Sequence, residues 1–277
     1  MSMSIGCVGC GNMGGAILAG LAASSLDCTL YGHTRTAARM APLEAAGVTR
    51  LDSARELARK ARYVVMAVKP YQIEALLAEM APEFGPDTVV ISVAAGISIA
   101  RLQAAVAGRC PVVRCMPNTP ALVGKGVFAL CFDDKVPAES KEDILHFFSQ
   151  LGVCLELPES RFTAFSALIG AGPAYVFGMM QGLMQAGVTL GLGRKDCRDM
   201  VAALFEGSAV MAARSDTPLM ELRDQVCSPG GLTIAGVNVL DRAGLSGLLV
   251  DAVLDKTAPT PDAAVMVQAL EGLFPGM

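Results

Sequence analysis

The chain has 277 residues, room for one large domain or two modest ones. Apolar types make up 53% and charged types only 17%, which excludes an intrinsically disordered or fibrous protein and implies extensive burial. Twenty-two Lys and Arg against 26 Asp and Glu leave a net charge of -4, with no basic tail or stripe, so a nucleic-acid partner is not expected.

The first segment, MSMSIGCVGCGNMGGAILAG, is uncharged but lacks the positive n-region of a signal peptide. Short apolar runs then alternate with helical stretches as far as Leu157. The runs are IGCVG, CTLYGH, YVVMAV, DTVVISV, PVVRC, GVFALCF and VCLEL. They are rich in Val and Ile and apolar on consecutive positions, as strands covered on both faces must be. Helices are expected between them, for example over 36–46 and 71–80. This alternation predicts a doubly wound parallel α/β sheet.

After Pro158 the Val/Ile runs stop and 3.6-residue periodicity takes over through 162–184 and 195–214. A domain boundary is therefore expected there, giving 1–158 and a helical 159–277. The tail, 256–277, carries APTP, which ends a helix early. The uncharged run 162–193 is long enough to cross a bilayer. Its seven glycines, Pro173 and scattered polar residues, without flanking aromatic belts, point instead to a helix buried in protein.

Nine cysteines are present, of which only Cys7-x-x-Cys10 is closely paired, so no disulfide framework is visible. The two histidines, His33 and His146, are not spaced for zinc, and no metal is expected. Reduced thiols in a cytoplasm fit best.

Gly9-Cys10-Gly11-Asn12-Met13-Gly14 forms G-x-G-x-x-G directly after the first strand and before a helix. Gly9 permits a tight turn, Gly11 lets the backbone approach a diphosphate, and Gly14 lets helix and strand pack closely. In this context the motif predicts dinucleotide binding. At the end of the second strand, Tyr31-Gly32-His33-Thr34-Arg35-Thr36 lacks the acid that would bind a ribose 2'-hydroxyl. Thr34, Arg35 and Thr36 suit a 2'-phosphate, so NADPH is expected, with NADH as the alternative. Helix capping by the threonines is compatible with that role. Cys7 and Cys10 would compete with the phosphate for one loop if they were a redox pair, and they read as small filler.

IGCVGCGNMG, Ala67-Val68-Lys69-Pro70, Ser92-Val93-Ala94-Ala95-Gly96-Ile97, Met116 to Gly124 (MPNTPALVG), Gly172-Pro173-Ala174-Tyr175-Val176-Phe177 and Ser228-Pro229-Gly230-Gly231 follow one another along the chain. Taken in that order, these segments resemble the pyrroline-5-carboxylate reductase family. The resemblance implies a Rossmann-like domain followed by an all-helical dimerisation domain, with the active site between them. It implies a homodimer or higher oligomer, a partner subunit burying the 162–193 run, and NADPH-dependent reduction of Δ1-pyrroline-5-carboxylate to L-proline, the last step of proline synthesis. It also implies that Ala67, Val68, Lys69, Pro70 and Asn118 border the nicotinamide end of the cofactor. From residue types alone, Lys69 reads as an exposed charge with no fixed partner, and Asn118 equally as part of a rigid turn.

Ser228, Gly230, Gly231 and Thr233 are the expected substrate site. Two glycines let amides turn inward ahead of a helix N-terminus, which holds a small carboxylate without Arg. Thr233 is the expected catalytic residue, hydrogen-bonding the ring nitrogen. Without the resemblance, Ser228 and Thr233 would read as helix caps. The chain departs from the family pattern at Ile169, Ala171, Cys227, Lys125, Glu206 and Leu232 and in the tail after Ala258. A reductase of a six-membered cyclic imine and a non-catalytic dinucleotide-binding regulator stand as alternatives. The 3-hydroxyacid dehydrogenases share the fold plan but need a catalytic Lys in the helical part, where Lys195 reads as surface.

Overall fold

The computed structural model describes residues 3–257. These form two compact units, one ending at Gly170 and one starting at Ala171. The expected boundary after Pro158 falls earlier, because Phe162 and Phe165 pack on Ala129 within the first unit. The tail beyond 257, with its APTP segment and its departure from the family's closing helix, lies outside the described residues.

The first unit opens with strand β1 (Met3–Val8), helix α1 (Asn12–Ala22) and β2 (Cys28–His33). A short helix α2 (Ala41–Ala45), β3 (Thr49–Arg50), α3 (Ala54–Lys60), β4 (Tyr63–Met66) and α4 (Pro70–Met80) follow. Next come β5 (Val89–Ser92), α5 (Ile99–Ala105), β6 (Val112–Met116), β7 (Gly126–Phe132), α6 (Ala138–Ser149) and β8 (Gly152–Glu156). The eight strands form one sheet in the order β3-β2-β1-β4-β5-β6-β7-β8. Alternate residues of each strand serve opposite faces. Val65, Ile91 and Val113 meet Ile17, Leu21, Ile144 and Phe147 of α1 and α6. Val64, Val90 and Val112 meet Leu57, Ile73, Leu77 and Leu102 of α3, α4 and α5. Both faces are covered, which is why the strands are continuously apolar.

Two sequence expectations need correction. The sheet is not wholly parallel, since β7 runs antiparallel to β6. The link 117–125 is too short for the crossover that parallel neighbours require. The helix expected over 36–46 is a 3-10 turn at Ala37–Arg39 followed by α2, because Met40 turns inward to the core and Pro42 starts a new helix. β3, only two residues long, carries no Val/Ile run and so has no mark in the sequence.

The first unit ends with helix α7 (Phe162–Phe165) and a π turn at Ser166–Gly170. The second unit contains α8 (Gly172–Thr189), α9 (Arg194–Ala213), α10 (Leu219–Gln225), α11 (Leu232–Arg242) and α12 (Leu245–Thr257). Pro173 occupies the start of α8, where its missing N–H costs nothing. Gly187 lets α9 approach, since a Cβ there would lie 2.7 Å from Cys197 Sγ. Cys197 is the one buried hydrophobic of this unit among the described residues. Of the run 162–193, expected to be buried, Phe162, Phe165 and Ala167 are buried within the first unit, but α8 contains no buried residue and is not covered by its own chain. The stretch 159–189 is long and apolar enough to cross a membrane by length and composition.

Candidate active site

The carboxyl ends of the six mutually parallel strands, β1 to β6, lie along one edge of the sheet, the edge at which open α/β sheets bind ligands. Val8 pairs with His33 on one side and with Met66 on the other. The fingerprint thus leaves β1 between segment 34–36, after β2, and segment 67–70, after β4. The strand order reverses at β1 and β4, the topological switch point.

The fingerprint backbone is shaped for close approach. Gly9 has φ +95°, a left-handed conformation costly for any other residue, and its N–H donates to the His33 carbonyl at 2.8 Å. A Cβ at Gly9 would meet the Ala67 carbonyl carbon at 2.8 Å, and one at Gly14 would meet the Gly9 carbonyl oxygen at 2.3 Å. Gly11 is the N-cap of α1 and supplies no side chain, so the first amides of the helix face outward uncapped. Such an uncapped N-terminus attracts a diphosphate through its N–H groups and the helix dipole.

Arg39 is a residue that the sequence reading missed. From the 3-10 turn after β2 its guanidinium reaches back over the fingerprint, with Nη1 2.9 Å from where a Gly11 Cβ would stand. Neither Arg35 nor Arg39 has an ion-pair or hydrogen-bond partner among the described residues, while Thr34 is half-buried beside them. The glycine cradle, the uncapped amides and two uncommitted guanidiniums fit a phosphorylated dinucleotide. A basic residue four positions past Arg35 was visible in the sequence, but its reach depends on a turn that the periodicity did not show.

Lys69 precedes α4, which starts at Pro70, and its backbone N–H donates to Gln72 Oε1 at 3.4 Å. Lys69 itself is exposed and carries no ion pair among the described residues. Asn118 is only 7% exposed, and its side chain is committed within its own unit. Its Oδ1 accepts from the Val127 N–H at 2.9 Å, and its Nδ2 donates to the Ile169 carbonyl at 3.3 Å. The side chain expected to border the nicotinamide end thus holds the 117–125 loop to β7 and to the π turn.

In the second unit, α10 gives way to a bend at 228–231. Gly230 has φ +66°, and the Gly231 N–H donates to the Ser228 carbonyl at 3.0 Å. Gly231 is the N-cap of α11, and no side chain caps that helix. The capping alternative for Ser228 and Thr233 is therefore not realised, and both hydroxyls remain exposed with the first amides of α11. Leu232 stands beside them, 94% exposed. Among the described residues no group of three or more His, Cys, Asp or Glu is placed to hold a metal ion.

A family model described as pyrroline-5-carboxylate reductase dimerisation matches residues 159–260, and one described as NADP oxidoreductase coenzyme F420-dependent matches 4–96. Pyrroline-5-carboxylate reductase from Escherichia coli K12 is 34% identical over 256 residues, covering 91% of this chain and 95% of its own. The crystal structure of the Plasmodium falciparum pyrroline carboxylate reductase with NADP bound superposes with a TM-score of 0.81 at 30% identity, covering 92% of this chain and 97% of that one. The structure of a Coxiella burnetii pyrroline-5-carboxylate reductase gives 0.85 at 29% identity, covering 93% and 97%. The phosphate cradle of the first unit and the uncapped glycine bend of the second thus lie in a sequence that aligns with these enzymes nearly end to end, and the chain belongs to the pyrroline-5-carboxylate reductase family.

Proposed function

We infer that this chain reduces Δ1-pyrroline-5-carboxylate to L-proline with NADPH. What carries the reading is that two glycine bends, at 9–14 and 228–231, each open a helix whose N-terminus no side chain caps, in a chain matching the reductases over about nine-tenths of its length. Each bend is built to hold an anion.

When bound, the cofactor supplies a hydride from C4 of its nicotinamide. The residues of this chain do the rest by binding and orientation. Gly9, Gly11, Asn12, Met13 and Gly14 hold the diphosphate, and Thr34, Arg35 and Thr36 hold the 2'-phosphate, joined by Arg39. Ala67, Val68, Lys69, Pro70 and the Asn118 loop border the nicotinamide end, Asn118 acting through the backbone it fixes. Ser228, Gly230 and Gly231 grip the substrate carboxylate. The Thr233 hydroxyl meets the ring nitrogen as its basicity rises on reduction. An imine that arrives protonated needs no strong acid, which suits a chain with two histidines.

The functional division is 1–158 for the dinucleotide and 159–277 for substrate and dimerisation. The assembly is a homodimer through the helical region or a higher oligomer of it, working in the cytoplasm. The test is loss of NADPH absorbance by the full chain with pyrroline-5-carboxylate and then with the six-membered imino acid. The expected result is turnover of the five-membered ring to L-proline. Preference for the larger ring would shift the substrate, with exposed Leu232 the first residue to examine. NADPH binding without turnover of either would make the chain a regulator.

A further inference from the structure

The reductase reaction leaves unused a pair of thiols inside the dinucleotide cradle. Cys7 lies in β1, paired with Gly32 of β2 and Val65 of β4, and is fully buried. Cys10 lies in the fingerprint turn, 2% exposed, and both join one apolar cluster. Cys10 Sγ is 3.7 Å from the Cys7 carbonyl oxygen and 3.7 Å from that of His33. A Cβ at Gly14 would lie 2.8 Å from Cys7 Sγ, so this sulfur sits directly under the first turn of α1.

We propose that Cys7 and Cys10 form an oxidisable dithiol whose disulfide and the bound dinucleotide exclude one another. The inference rests on the dinucleotide role of the cradle. A disulfide brings two sulfurs to about 2.05 Å, well inside the contact distance of two thiols. β1 is hydrogen-bonded on both sides, so the required shift falls on the turn. That turn is held by Gly9 N–H to His33 O, Gly11 N–H to Gly9 O and Gly15 N–H to Gly11 O, each 2.8 Å. The same backbone forms the diphosphate cradle, where a displacement of about 1 Å is enough to spoil binding geometry. Linkage makes the exclusion reciprocal, so a bound dinucleotide opposes oxidation as much as oxidation opposes binding.

The oxidant is a peroxide. The Cys10 sulfur attacks one peroxide oxygen; an S–O bond forms, the O–O bond breaks, and the departing hydroxide leaves as water with the thiol proton. The Cys7 thiol then attacks that sulfur; the S–S bond forms, the S–O bond breaks, and a second water leaves. The dithiol loses two electrons and the peroxide is reduced to two waters. The assignment of roles follows the surroundings. The hydrogen bond between the thiols, reinforced by burial, pushes Cys7 well up, while the same bond holds Cys10 below its ordinary value. Burial raises Cys110, Cys115 and Cys154, which disfavours their thiolates.

The full chain is treated with hydrogen peroxide, with and without saturating NADP+, then alkylated and mapped by peptide mass, and NADP+ affinity is measured before and after. The expected result is a Cys7–Cys10 disulfide, formed at least about tenfold more slowly with NADP+ present and lowering NADP+ affinity at least about tenfold. Dithiothreitol restores the affinity, and in Cys10→Ala peroxide no longer lowers it. Loss of affinity without this disulfide, a disulfide without loss of affinity, or oxidation at the same rate with NADP+ bound overturns the proposal. If Cys10→Ala fails to fold, the peptide map of the unaltered chain still decides. Failure of the reduced protein to bind NADP+ would overturn the cofactor reading itself, and is seen before any peroxide is added.

Discussion

A methyl group on residue 14 would stand 2.3 Å from the Gly9 carbonyl oxygen and 2.9 Å from Ala67 Cβ. The oxygen belongs to a backbone that also accepts the Gly11 N–H, so it has nowhere to retreat. Gly14→Ala should destabilise the protein by about 1–3 kcal/mol and weaken NADP+ binding, read by denaturant melts and by titration. Unchanged affinity in a folded variant would remove Gly14 from the cradle. Arg39 acts by reach, not fit. Arg39→Ala should raise KM for NADPH by roughly tenfold or more and leave KM for NADH nearly unchanged, as expected for one lost charge-assisted bond to a phosphate. Equal effects on both cofactors would place Arg39 on the diphosphate. Thr233→Ala should lower kcat/KM by about 1–3 kcal/mol without abolishing turnover, and Thr233→Ser should recover most of it. An unchanged rate in Thr233→Ala would take the hydroxyl out of the reaction. The glycine spacing was legible because it encodes backbone geometry directly. Arg39 was not, since the position of its guanidinium depends on where the chain turns after β2.

The elements around the site show which signals a sequence carries and which it lacks. Strand identity was legible from the Val/Ile runs, and so was the change to helix after β8. Strand direction is not written in periodicity; it lies in loop length, and the short 117–125 link already forbade a parallel β7. The π turn at Ser166–Gly170 left no readable mark, though it belongs to a run that reads as plain helix. Its Ile169 carbonyl accepts from Asn118, whose other end takes the Val127 N–H, so a single amide ties three segments together. Asn118→Ala should therefore cost about 1–3 kcal/mol of stability by stranding buried polar groups, and should loosen the loop at the nicotinamide end. Asn118→Asp keeps the acceptor for Val127 but cannot donate to Ile169. At neutral pH it also buries a charge against the Ile169 carbonyl oxygen, so the expected order of melting midpoints is unaltered chain, then Ala, then Asp. An Ala variant as stable as the unaltered chain would mean that the loop is held by its prolines alone.

At the scale of the whole molecule the two units have opposite surface economies. The sheet unit buries its apolar faces under helices, while α8, α9 and α11 present Phe177 (64% exposed), Leu204 (55%) and Leu240 (50%) to solvent in the single chain. A helical unit with so little interior cannot offset its conformational entropy alone, and exposed apolar surface on this scale marks an interface. Apolar helices were legible in the residues but their cover was not, because hydropathy is blind to whether burial is internal or between subunits. A subunit partner predicts mass-action behaviour: the melting midpoint should rise with protein concentration, and the purified chain should sediment as a dimer or larger. Leu204→Glu puts a charge in the middle of α9, where burial at an interface would leave it unpaired. It should shift the chain toward monomer and lower the melting midpoint at fixed concentration, measured by sedimentation and by thermal melts. A variant that sediments and melts like the unaltered chain would clear this face of α9 from the contact. Concentration-independent melting of a monomer would remove the dimer altogether and leave the exposed stripe of α8, continuous with a stretch long and apolar enough to span a bilayer, to be covered by lipid instead.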